Sequence, residues 1–121
     1  MRDTWTWNGK VWTKIKIPSA QKPSARTGFA MVYDLGRART VLFGGFVTGA
    51  TGGSSRGRAN DTWEFDGIVW THRAIPILPP VRNDHAMAYD AARNYVVMFG
   101  GEGKAGHLSD TWEWNGALWK Q

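Results

Sequence analysis

Three histidines, one glycine-rich stretch and a scatter of loop cations are the residues of this chain whose types suit chemistry. His72, His85 and His107 would hold a metal only at a spacing that brings them together, and they show none. The stretch GATGGSSRG at 49–57 has the glycines of a phosphate-cradling loop. It lacks the Gly-Lys-Ser/Thr ending and no helix follows it, so it reads as a flexible hairpin loop. Ser54, Ser55 and Ser109 have no neighbouring base, and no Gly-x-Ser-x-Gly turn occurs. With no cysteine there is neither a disulfide framework nor a thiolate metal site. The residues therefore predict no catalytic group, no metal and no cofactor. What remains is charge: Lys14, Lys16, Lys22, Arg56, Arg58, Arg73 and Lys104, with His107 among them, against little beyond Glu102. Such a set suits an acidic polysaccharide or an acidic protein, or it simply keeps the loops solvated. A net charge of +5 is too small to point to nucleic acid.

The elements that carry these residues are set by repetition. DTWTWNGKVW begins at Asp3, DTWEFDGIVW at Asp61 and DTWEWNGALW at Asp110, so the phrase returns after 58 and then 49 residues. RTGFAMVYD at 26–34 aligns with RNDHAMAYD at 82–90, and VLFGG at 41–45 with VMFGG at 97–101, both offset by 56. Slippage between these offsets belongs in connections, as in repeat architectures. No 3.6-residue apolar stripe occurs, and fifteen glycines and eight tryptophans punctuate short β-type runs, so the chain reads as all-β. Each unit resolves into four strands: GFAMVY or HAMAY, then TVLFGG or YVVMFGG, then the DTW run, then the strand opened by VW or LW. Asn-Gly or Asp-Gly between the last two is a strong hairpin signal. It holds Trp5 and Trp12, Trp63 and Trp70, and Trp112 and Trp119 each seven residues apart.

Four-stranded antiparallel units of this size, glycine-punctuated and aromatic-rich, are the pattern of propeller blades. The order R…HAMAYD…VVMFGG…DTWEWNG…W resembles the kelch repeat over practically the whole chain. Its carriers are Gly44, Gly45, Gly100 and Gly101, the three tryptophan pairs, and Arg26 and Arg82 ahead of each first strand. The resemblance implies a fold and structural roles for these residues, not an activity. Some kelch propellers are enzymes, a copper-dependent galactose oxidase among them, but their tyrosine and histidine ligand motifs have no matching positions here and the required cysteine is absent. An enzyme is not expected. Recurrence in every unit favours packing of tryptophans between neighbouring sheets over sugar stacking. Arg26 and Arg82 are read as ion-paired to the aspartates that open the DTW runs, with an anion-gripping ring as the competing reading.

The expected organisation is a half-blade hairpin and connection at 1–25, one complete blade and connection at 26–81, and a second complete blade at 82–121. Two blades leave both outer faces uncovered. The chain is expected either to self-associate or to sit among other blades of a larger propeller, an enzyme or carbohydrate-binding protein with its site residues elsewhere. Three copies would supply six complete blades, but the extra hairpin would then be displaced or used elsewhere. Up-and-down strands would gather the long connections, with their cations, at one end. No apolar run approaches the roughly 18 residues that a membrane span needs, so no membrane partner is expected. No basic segment followed by an apolar core marks an export signal, and the compartment is left open.

Overall fold

The computed structural model describes residues 2–48 and 57–121. In chain order the strands are β1 (Thr4–Trp7), β2 (Trp12–Ile15), β3 (Arg26–Thr27), β4 (Ala30–Asp34), β5 (Arg39–Phe43), β6 (Phe46–Val47), β7 (Gly57–Arg58), β8 (Thr62–Phe65) and β9 (Trp70–Arg73). They continue as β10 (Ala86–Asp90), β11 (Tyr95–Phe99), β12 (Glu102–Gly103), β13 (Gly106–His107), β14 (Thr111–Trp114) and β15 (Trp119–Lys120). A single 3₁₀ turn, Ser19–Gln21, is the only helical element among the described residues. The chain is all-β, built from antiparallel sheets: β4-β5-β8-β9, β10-β11-β14-β15 and the hairpin β1-β2.

The repeated phrase forms the same hairpin three times. Registers Trp7↔Trp12, Phe65↔Trp70 and Trp114↔Trp119 close each one. The connection is four residues long rather than a two-residue turn, because the leading Asn or Asp accepts two backbone N–H bonds across it. Asn8 Oδ1 takes Lys10 and Val11 N–H at 3.0 and 2.9 Å, Asp66 Oδ1 takes Ile68 and Val69 at 2.8 Å each, and Asn115 Oδ1 takes Ala117 and Leu118 at 2.8 and 2.9 Å.

Alternation along the strands gives each four-stranded sheet two distinct faces. Val32, Val41, Phe43, Thr62 and Glu64 of the first sheet look toward the second. The second replies with Met87, Tyr89, Val96, Met98, Trp112, Trp114 and Trp119, and this interleaving is the hydrophobic core. Burying one indole there contributes about 3 kcal/mol or somewhat more. Tryptophan therefore packs between sheets at Trp112, Trp114 and Trp119. Trp63 and Trp70 are half-buried, and Trp5, Trp7 and Trp12 stand exposed because none of the described strands packs over their face. The N-terminal hairpin is not displaced. It sits against the other face of the first sheet, where Trp70 Nε1 donates to Thr4 Oγ1 at 2.9 Å.

Short paired ribbons follow β5 and β11. Phe46–Val47 pairs on one side with Arg26–Thr27 and on the other with Gly57–Arg58. Glu102–Gly103 pairs with Gly106–His107, and Asn83 bridges Glu102 in the same way. Gly45 marks where a ribbon leaves its sheet. Its φ is +95°, and a Cβ there would lie 2.8 Å from both Phe29 Cβ and the Thr27 carbonyl oxygen, so only glycine fits.

Candidate functional site

The cations assigned from the sequence to the long connections do not form one free surface. Lys14 and Arg73 belong to strands β2 and β9, because both hairpins extend past their second tryptophan in unbroken register. Lys14 Nζ pairs with Asp3 at 3.0 Å and lies 5.8 Å from the Trp5 ring centroid. Arg73 leans across the joint, donating to the Gly116 carbonyl at 2.9 Å with Glu64 at 3.8 Å. Arg58 is held by Asn83 at 2.5 Å and Glu102 at 3.0 Å. Lys16, Lys104 and His107 are exposed, Lys22 is half-buried, and Arg56 with most of the glycine-rich stretch lies outside the described residues. Pairing across connections distant in sequence is what consumes the guanidinium groups.

The Arg82 side chain is fully buried and that of Arg26 is 3% exposed. Arg26 meets both oxygens of Asp61 at 2.6 and 2.8 Å and adds the Gly44 carbonyl at 2.9 Å. Arg82 repeats this on Asp110 at 2.8 and 2.7 Å, with the Gly100 carbonyl at 2.8 Å. Trp63 and Trp112 Nε1 donate to the same carboxylates at 2.7 and 2.6 Å. Fork-to-fork geometry of this kind is the strong form of the ion pair. Burial raises the Asp61 pKa, but the Arg26 bonds overcome it and hold the carboxyl below its ordinary range. The Arg82 bonds bring Asp110 down to about 2. The guanidinium groups are engaged inward, and each ties the start of a sheet to its third strand.

His85 is buried beside Phe43, ring to ring at 5.6 Å, with neither ring nitrogen in a well-formed hydrogen bond. Burial, then the nearby Arg82 charge, lower its pKa from 6.5 to about 4, while the Phe43 carbonyl and Asp84 pull the other way. The imidazole is neutral at pH 7. Between pH 6.5 and about 4 the unfolded chain binds a proton that the folded chain refuses. Stability is therefore lost as pH falls through that window, by up to about 3 kcal/mol. Urea midpoints measured from pH 7 to pH 4 check this: the slope should be shallower in His85→Leu. A His85 NMR titration near the ordinary value would remove the prediction.

The other histidines stay apart from it. His72 lies tilted against Trp63, with ring centroids 5.0 Å apart, and His107 lies on β13. Among the described residues no three His, Cys, Asp or Glu side chains are placed to share a metal ion. A groove of about 410 Å³ lies between the N-terminal hairpin and the first sheet. Asp3, Trp5, Arg26, Met31, Leu42 and Trp70 line it. Its walls are mainly apolar.

Two uncovered sheet faces are the larger feature. One is the outer side of the N-terminal hairpin, with Trp5, Trp7 and Trp12. The other is the outer side of the second sheet, where Ala86, Ala88 and Phe99 are exposed, Val97 is half-buried, and Thr111 and Glu113 stand beside them. The sequence reading missed the threonines and glutamates of the DTW runs, although Thr4, Thr62 and Thr111 occupy the same place in all three phrases. That recurrence was the available signal. No protein-family profile matches the chain, and no curated protein matches it.

Proposed function

We propose that the chain is a non-catalytic, kelch-like repeat scaffold, two propeller-type blades and a half-blade hairpin, which works by burying its uncovered faces against protein, first of all another copy of itself. The observation that carries this is a contrast within one molecule. Trp114 and Trp119 are 0% and 3% exposed where two sheets meet, whereas Trp7 and Trp12 on the uncovered hairpin are 51% and 64% exposed. Apolar patches of this kind on small proteins mark interaction surfaces. The paired Arg26–Asp61 and Arg82–Asp110 locks and the glycine pairs support the kelch-like reading, since each recurs at the same place in both units. Light scattering and native mass spectrometry over a concentration series test the reading. The expected result is a discrete multiple of 13.5 kDa. A folded chain that stays at one copy throughout would refute it.

A second reading is favoured by the same indoles. Exposed rings in a row suit stacking on a saccharide, and retention of Trp7→Ala and Trp12→Ala chains on a glycan array would argue against that reading.

A further inference from the structure

We propose that the tryptophan face of the N-terminal hairpin docks on the outer face of the second four-stranded sheet of another copy, with Trp12 donating to Thr111 and Trp7 to Glu113. This rests on the self-association reading above and assigns it a register.

The chain already contains two joints built to one plan. Between the first and second sheets, Trp119 Nε1 donates to Thr62 Oγ1 at 2.9 Å and Trp114 Nε1 to Glu64 Oε1 at 3.1 Å. Between the hairpin and the first sheet, Trp70 Nε1 donates to Thr4 Oγ1 at 2.9 Å. In each case the fourth-strand indole of one unit finds the DTW threonine of the unit before it. Applied once more, the plan leaves one donor and one acceptor over. Among the described residues the indole N–H groups of Trp7 and Trp12 and the Thr111 hydroxyl have no hydrogen-bond partner.

The unmatched halves are preformed. Trp7 and Trp12 lie 5.4 Å apart at 36°, and the buried Trp114 and Trp119 lie 5.5 Å apart at 37°. On the receiving side, Thr111 is paired with Phe99 and Glu113 with Val97, as Thr62 is with Phe43 and Glu64 with Val41. Phe43 is 0% exposed under its neighbour, and Phe99, with nothing over it, is 54% exposed. Arg93 grips Glu113 at 2.6 Å as Arg37 grips Glu64 at 2.5 Å. Arg37 also sits 5.9 Å from the Trp114 ring, a place Arg93 would take over Trp7.

The side chains also discriminate between joints. Where the first sheet meets the hairpin, Phe65 stands in the position of Trp114 and Thr6 in that of Glu64, so a ring without an N–H faces a site without a carboxylate. The free hairpin carries Trp at this position and the free sheet carries Glu. Donor and acceptor therefore match only if these two faces meet.

A head-to-tail contact makes either a closed ring or an open fibre. Because the hairpin occupies a sheet position instead of being displaced, each copy supplies three positions. Two copies supply six, within the roughly four to eight at which propellers close, and three copies overshoot. The expected particle is a dimer of twice 13.5 kDa.

Two full-length variants test the register, one carrying Trp7→Arg with Trp12→Arg, the other Val97→Arg with Phe99→Arg. All four positions are exposed or half-buried, and circular dichroism confirms that each variant folds. Analytical ultracentrifugation should find dimer for the parent chain and single copies for either variant alone, with dimer affinity weakened about 100-fold or more. Mixing the variants restores one intact joint and should produce a mixed pair that neither forms alone. A parent chain that never dimerises overturns both this register and the scaffold reading. A dimeric parent whose variants still dimerise, or whose variants fail to pair on mixing, overturns the register and leaves self-association standing. Loss of glycan binding in the Trp7/Trp12 variant of a monomeric parent would assign the face to a saccharide instead.

Discussion

Arg82→Met is expected to cost about 3–5 kcal/mol of folding stability, a large part of the roughly 5–15 kcal/mol that a domain of this size has. The side chain is fully buried, and it makes four hydrogen bonds, two to the Asp110 carboxylate and one each to the Gly100 and Pro80 carbonyls. Removing it strands those acceptors, and the loss comes from the uncompensated carboxylate more than from the missing attraction. Urea denaturation measures it. Arg82→Met combined with Asp110→Asn should recover part of the loss, since no charge is then left unpaired. A single variant within 1 kcal/mol of the parent would show that the lock is ornamental. The Lys14–Asp3 pair makes the useful contrast: both side chains are well exposed, and its removal should be hard to detect.

Trp114→Ala is the second large effect, about 3–5 kcal/mol, because the ring fills the space between the two sheets and nothing near can collapse into it. Trp114→Phe separates packing from hydrogen bonding. It keeps a six-membered ring, removes three ring atoms and with them the N–H that reaches Glu64, and leaves that carboxylate with Arg37 at 2.5 Å. Its expected cost is about 1–2 kcal/mol. Equal losses for the two variants would mean that the indole–carboxylate bond, and not the volume, holds the joint.

Local patterns made the main architecture readable. Strand alternation, the Asn-Gly and Asp-Gly turns and the seven-residue tryptophan spacing are short-range signals, and they fall on β1–β2, β8–β9 and β14–β15 within a residue or two. The ribbons at Phe46–Val47 and Glu102–Gly103 were not readable, since two residues carry no periodicity and their pairing depends on distant partners. The same reason hid the fate of Arg58 and Arg73. A cation in a polar connection looks free until the fold brings Glu102 or Gly116 to it. Glu64 gave a clue that only the structure explains: a carboxylate on the inward side of an apolar strand must have partners, and it has Arg37 and Trp114. His85 showed nothing in sequence, because its low pKa comes from burial under a neighbouring unit.

Near-identical units carry a hazard while the chain is folding, since any sheet resembles the correct neighbour of any other and out-of-order stacking competes with the native arrangement. The paired differences at the two internal seams, Thr6 with Phe65 and Glu64 with Trp114, would penalise such errors. A sheet that stacks in the wrong sequence places a carboxylate against a ring that offers it no proton, or leaves an indole short of its best acceptor, at about 1–3 kcal/mol each time. Two side-chain differences per repeated segment would thus be enough to number the units, and erasing them should raise the yield of mis-stacked chains without disturbing any single sheet.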